Sequence, residues 1–287
     1  MINSHSLHSP KTLKSPILFS SPHSGRIYQK SFLDQTGLSL EQMRASEDCY
    51  VDDLVETATR FGCTILQAHF PRVFVDLNRS FEDLDPKLIR DVDDKKTNKR
   101  IEAGLGVIPR VVGSGTEIYD KKLSKAEVNL RLRAFYFPYH SQLQKELAKI
   151  KRIFGYAILL DFHSMPHSAL QLFEKNSVDR PEIVLGDGYG TSCEPWLADF
   201  LTRKFVMTGF KVAKNTPFSG GFITRKYGSP KNKMYAIQIE IDRSLYMNEN
   251  NYSLKDDYIT FKGKLEKVIK SVSQVRHPDA THYDAAE

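Results

Sequence analysis

The sequence predicts an α/β fold, a mixed and mostly parallel sheet with helices on both faces. Three observations carry this expectation. Short apolar runs such as "YAILLDF", "EIVLGD" and "MYAIQIEID" alternate with longer amphipathic stretches such as "CEPWLADFLTRKF", the order expected of strands joined by crossover helices. The runs are apolar almost throughout, as strands covered on both faces are. A chain of 287 residues with 40% hydrophobic and 26% charged content is long enough for one large core.

Taken in order, residues 1–15 lack an apolar segment and read as a flexible N-terminal arm. "SPILFSSPHSG" gives a short strand that breaks at Pro22 and Gly25 into a turn carrying His23. A helix is expected over about 40–61, stopped by Gly62. "CTILQAHF" and "RVFVDLN" read as two strands split by Pro71, the second ending at Asn78-Arg79. Residues 83–116 are irregular, charged and then Gly-rich, and their role as a lid is left open. A long helix over about 124–154 opens with a Ser124-x-x-Glu127 capping box. After the strand at 156–162 come "EIVLGD" as a strand, "CEPWLADFLTRKF" as a helix, "FKVAKN" as a strand, and "SGGFITRKYGSP" as a Gly-rich loop. The strand "MYAIQIEID" and a helix over about 254–275 complete the domain, which spans 16–275 and leaves 276–287 as a polar tail.

Composition narrows the function classes. The net charge is +6 and the pI about 9.0, so an anionic partner is expected. The basic residues are interleaved with acids, however, and no nucleic-acid module is visible, so a small acidic substrate is favoured over nucleic acid. No apolar run has bilayer-spanning length, so no membrane partner is expected. Cys49, Cys63 and Cys193 are scattered, with no CxxC spacing, which fits a reducing cytoplasm rather than a disulfide framework.

Chemistry-bearing residues gather at predicted strand ends, where ligands bind in open α/β sheets. The run "YAILLDFHSMPH" stops at Asp161 and sets His163 just beyond it, while His23 sits in the "PHSG" turn. Two imidazoles and a carboxylate suit a three-ligand zinc site with a position open for water. The third ligand comes from "ASEDCYVDDL", with Asp48 ahead of Glu47, although acids at a helix start are expected in any case. Glu240 lies on one strand face with Gln238. It reads either as a partner of Arg243 or Lys233, or as a general base whose pKa a semi-apolar cleft has raised; the base is preferred. Arg72 and Arg79, with Asn78, offer planar forks for a carboxylate. Thr224 and Arg225 follow a pair of glycines that permit close approach to a ligand.

The stretches "SPHSG", "SEDCYVDDL", "FPRVFVDLNR", "GVIPRV", "DFHSMP", "VLGDGYGTSC", "NTPFSGGFITRKYG" and "AIQIEIDRSLYM" occur in the order of the N-formylglutamate amidohydrolase family, which the chain resembles from about residue 16 to residue 250. That resemblance implies a phosphorylase/hydrolase-like three-layer fold related to zinc carboxypeptidases and aspartoacylases. It implies one catalytic zinc held by His23, His163 and an acid of the "SED" motif, with Glu240 in the place of the glutamate base. Asn78-Arg79 would match the Asp-x-Asn-Arg element that grips a substrate carboxylate. Arg72 or Arg79 would face the oxyanion, Arg225 or Arg243 a second carboxylate, and Asp161 would orient His163. The implied reaction is hydrolysis of a small acidic N-acyl amino acid, N-formyl-L-glutamate, in histidine breakdown. Two alternatives are an aspartoacylase-like specificity and a non-enzymatic binder of anions or RNA. One departure stands out. Carboxypeptidases and aspartoacylases set the first histidine and the glutamate ligand three residues apart, whereas the nearest acid after His23 is Asp34.

Overall fold

Seven strands form one sheet in the order β1-β3-β2-β4-β7-β5-β6: β1 (His5–His8), β2 (Ile17–Ser21), β3 (Thr64–Ala68), β4 (Ala157–Met165), β5 (Ile183–Gly186), β6 (Val212–Lys214) and β7 (Met234–Asp242). The computed structural model describes residues 3–93, 95, 97–171 and 180–280. Residues 1–2 of the expected arm and 281–287 of the expected tail lie outside these, as do 94 and 96 of the irregular stretch.

β4 and β7 pair in parallel over nine residues, with His163 opposite Glu240 and Asp161 opposite Gln238. β2 and β3 extend the parallel part on one side, while β5 runs antiparallel to β7 and carries β6 with it. The strict alternation of side chains divides the core. Ile158, Leu160 and Phe162 of β4 join Ile237, Ile239 and Ile241 of β7 under the helices Val51–Val55, Pro195–Met207 and Tyr258–Val272. Ala157, Leu159 and Ala236 face the other layer, built from Phe137–Phe154 and the segment from Phe70 to Leu123. The faces of β4 and β7 that carry Asp161, His163, Gln238 and Glu240 belong to this second layer.

Four local expectations are corrected. "RVFVDLN" is not a strand but a series of turns: Phe74 N–H reaches the Pro71 carbonyl at 3.0 Å and Asn78 N–H the Asp76 carboxylate at 2.8 Å, while Val73, Val75 and Leu77 are buried. Its apolar content reflects burial, not ladder pairing. The helix expected over 40–61 is broken into Leu40–Arg44, Val51–Val55 and a 3₁₀ segment Glu56–Phe61, with Tyr50 in the left-handed region at φ 64. That break turns Asp48 inward. The long helix is interrupted at Leu132–Tyr136 by a π segment. Pro138 follows two residues on; lacking an N–H and clashing with the preceding turn, it disfavours a regular ladder there. The "SGGFITRKYGSP" loop contains a short helix, Phe222–Tyr227. In the N-terminal arm β1 pairs antiparallel to β3 at the sheet edge, and in the C-terminal tail His277 is buried against Tyr235 and Trp196.

Candidate active site

His23 follows the end of β2, in a turn held close to its neighbour. A Cβ at Gly25 would lie 2.2 Å from the Phe70 carbonyl oxygen, so the "PHSG" turn needs a residue without one. His163 stands near the end of β4, and Asp48 in the helix break, where its N–H reaches the His23 carbonyl at 3.1 Å. All three side chains are buried. His23 Nδ1 and His163 Nδ1 are 3.1 Å apart, and Asp48 Oδ2 lies 3.0 Å from His163 Nδ1 and 3.4 Å from His23 Nδ1. Among the described residues, this is the one group of three His, Cys, Asp or Glu side chains close enough to share an ion.

Each imidazole is fixed from behind. His23 Nε2 meets Asp76 Oδ1 at 2.8 Å and His163 Nε2 meets Asp161 Oδ2 at 2.8 Å. With the ring protons on Nε2, both Nδ1 lone pairs and the Asp48 carboxylate point at one another, an arrangement that suits a cation between them. Donors about 2.0–2.1 Å from a tetrahedral zinc stand about 3.3 Å from each other, so the observed triangle fits such an ion. Carboxylates behind metal-binding histidines are the usual support. The same acceptors also favour a proton on Nδ1. Burial would depress the His163 imidazolium, but Asp161, Asp48 and Glu240 prevail and hold its pKa well above the ordinary histidine value. Burial would raise Asp48, yet the hydrogen bonds from His163 and His23 keep it well below the usual carboxylate range.

Glu47, the alternative ligand, faces away, accepting from Tyr28 Oη at 2.5 Å and Arg44 Nε at 3.1 Å. Arg243 does not contact Glu240 as an ion pair. Its Nη2 donates to Asp48 Oδ1 at 3.0 Å and its Nε to Ser164 Oγ at 3.0 Å, so it anchors the Asp48 carboxylate.

A cavity of ≈ 450 Å³ opens beside the trio, and its lining includes Glu240, Asn78, Arg72, Arg79, Arg100 and Arg243. A larger hollow of ≈ 740 Å³ lies elsewhere, along residues 81–101 and the helix start at Lys125, and contains none of the trio. Glu240 is buried, and burial pushes its carboxyl up to about 7 despite the opposing charge of His163. A relay positions it: Asn78 Nδ2 donates to Gln238 Oε1 at 3.3 Å, and Gln238 Nε2 to Glu240 Oε1 at 2.6 Å. The other end of Asn78 accepts from Ile223 N–H at 2.8 Å. Arg72 Nε donates to Asp76 Oδ2 at 3.0 Å. Arg79 Nε and Nη1 reach the carbonyls of Leu105 and Asn78 at 2.9 and 2.8 Å. The turn bearing Asp76 and Arg79 is clamped by the interrupted helix, Tyr136 Oη donating to the Arg79 carbonyl at 2.8 Å and His140 Nε2 to the Leu77 carbonyl at 3.0 Å.

Thr224 and Arg225 are not brought to the cavity. Thr224 is fully buried, packed against Gly220, and Arg225 is exposed with Nη1 on the Gly220 carbonyl at 3.2 Å. Sequence reasoning gave no role to Asp76, Gln238 or Arg100. Asp76 had a visible signal, since Asp76-x-Asn78 places a carboxylate to close its own turn. Arg100 had none, lying amid ordinary surface charge. His167, four residues after His163, meets Asp242 Oδ2 at 2.7 Å and Ser244 Oγ at 3.1 Å through the same Nδ1. A nucleophilic triad needs the hydroxyl and the carboxylate on opposite ring nitrogens, so this cluster is not one.

A family model described as N-formylglutamate amidohydrolase matches residues 15–247. The chain belongs to that family. An N-formylglutamate deformylase of Pseudomonas aeruginosa is 34% identical over 239 residues, covering 82% of this chain and 83% of the relative. One from Pseudomonas putida is 31% identical over 250 residues, covering 84% and 86%. The crystal structure of N-formylglutamate amidohydrolase from Ralstonia eutropha JMP134 superposes with a TM-score of 0.87 at 34% identity, over 95% of this chain and 98% of that one. The amidohydrolase fold and its mixed sheet are therefore shared across nearly the whole length. Among the described residues, no helix is long and apolar enough to cross a membrane.

Proposed function

We propose that this chain hydrolyses the formamide of N-formyl-L-glutamate to formate and L-glutamate, with a single zinc ion held by His23, Asp48 and His163. The observation that carries the reading is the convergence of those three donors, 3.0–3.4 Å apart, beside a cavity that also presents a buried glutamate and several guanidinium groups. The names and coverage of the relatives support the substrate.

When bound, a divalent cation such as zinc supplies Lewis acidity, making water acidic enough to ionise near neutral pH. Glu240 then serves as the proton carrier. Its Oε1 is held by Gln238, leaving the other oxygen to take a proton from the attacking water and return it to the amide nitrogen. The C–N bond breaks as that nitrogen becomes the amine of glutamate, and the water oxygen ends in formate. Arg72, anchored through Nε to Asp76, directs its remaining N–H groups to where negative charge develops on the formyl oxygen. Arg79 holds the α-carboxylate. Asn78 orients Gln238 and the wall at Ile223 rather than gripping substrate directly.

Elemental analysis of purified protein, paired with formate release from N-formyl-L-glutamate, tests the proposal. About one zinc per chain and formate production that chelation abolishes are expected. A protein that releases formate at full rate after complete chelation overturns the metal role. One that releases none when metal-loaded overturns the substrate.

A further inference from the structure

N-formylglutamate carries two carboxylates, and the cavity arginines are not equivalent toward them. Arg72 is engaged by Asp76, and Arg243 by Asp48, Ser164 and the Ala45 carbonyl. Arg79 has two of its donors on backbone carbonyls. Arg100 is different. It lines the cavity and is exposed. Among the described residues its hydrogen bonds are backbone ones, its N–H to the Asn98 side chain at 3.0 Å and its carbonyl from Leu105 N–H at 2.8 Å. Among the described residues its guanidinium is committed to no carboxylate.

Leu105 fixes the placement of Arg100 relative to Arg79. Its N–H holds the Arg100 backbone and its carbonyl takes Arg79 Nε, so one residue couples the two cations. Their depths differ as well. Arg79 is buried, 3.9 Å from the Asp76 carboxylate that supports His23, whereas Arg100 stands further out on the short helix Lys99–Glu102. A substrate with its formyl group at the metal-ligating trio meets Arg79 first and extends its side chain past it.

We propose that Arg100 determines specificity by pairing with the distal carboxylate of the substrate, so that the segment 99–113 makes the cavity select N-formyl dicarboxylic amino acids over their neutral counterparts. The proposal rests on the deformylase reading above. An uncommitted fork can hold a carboxylate through two parallel hydrogen bonds, and an exposed pair of this kind discriminates by up to about fivefold.

The test compares wild type, Arg100→Ala and Arg100→Lys on N-formyl-L-glutamate and N-formyl-L-glutamine, which differ only in the distal group. Wild type favours the glutamate substrate in kcat/KM. Arg100→Ala loses up to about fivefold more on glutamate than on glutamine, chiefly through KM, and Arg100→Lys retains part of the preference. An unchanged ratio, or equal losses on both substrates, overturns the assignment while leaving the deformylase reading intact. A wild-type enzyme that hydrolyses neither substrate overturns the deformylase reading itself, and the Arg100 assignment with it.

Discussion

His23 and His163 face each other through Nδ1 atoms 3.1 Å apart, each with its Nε2 2.8 Å from a buried carboxylate. Neither ring can turn without losing that carboxylate, so the pair is preorganised for an ion. His163→Ala and Asp48→Asn should yield protein that retains no metal after gel filtration, measured by elemental analysis. Asp76→Asn and Asp161→Asn should retain it with affinity lowered about 10–100-fold in a competitive chelator titration. Normal loading of His163→Ala would refute the ligand assignment.

Glu240→Gln should keep its metal and lose about 10²–10⁴-fold in kcat, the range a positioned proton carrier contributes. The pH dependence has a defined sign. Burial pushes the Glu240 carboxyl up to about 7, and the base must be ionised to accept a proton. Wild-type kcat/KM should therefore fall as pH drops below about 7 and level off above it. The residual activity of Glu240→Gln should lack that limb, and an unaltered acid limb would assign the titration to another group.

Arg243 and Arg79 should separate in kinetics although both line the cavity. Arg243→Ala removes the anchor of Asp48 at 3.0 Å and should weaken metal binding, shown by faster loss of zinc to chelator, with KM at saturating zinc changing little. Arg79→Ala should leave zinc content intact and raise KM more than it lowers kcat. The converse pattern would exchange their roles.

Gly221→Ala probes the relay from a distance. A Cβ there would fall 2.2 Å from Asn78 Nδ2, displacing the group that holds Gln238 and, through it, Glu240. The expected outcome is a folded, zinc-loaded protein with kcat reduced about tenfold or more, as small misplacements of reacting groups allow. Wild-type turnover would mean that Asn78 is not needed to position Glu240.

Much of this was legible in the sequence, for reasons that also mark its limits. β4 and β7 announced themselves because strands buried on both faces are apolar at consecutive positions, and polar residues among them, Asp161, His163 and Glu240, stand out for the cost of burying them. "RVFVDLN" misled because a buried turn and a buried strand share composition. The helix break before Asp48 was hidden because it depends on Tyr50 adopting a left-handed conformation, which no residue type signals there. The surroundings of Arg243 and Thr224 were hidden for a different reason. A charge or hydroxyl near a site serves substrate or scaffold depending on what its neighbours already accept, and those neighbours come from remote segments such as Asp48.

The pairing of β1 with β3 gives the first residues of the chain a protective duty. Without His5–His8, the outer side of β3 would present a row of unsatisfied amide and carbonyl groups to solvent, a template for another chain to dock against. Shortening the N-terminus for crystallisation or tagging should thus be avoided. The penalty would be self-association of an otherwise competent enzyme, arising at the sheet margin opposite the one formed by β6.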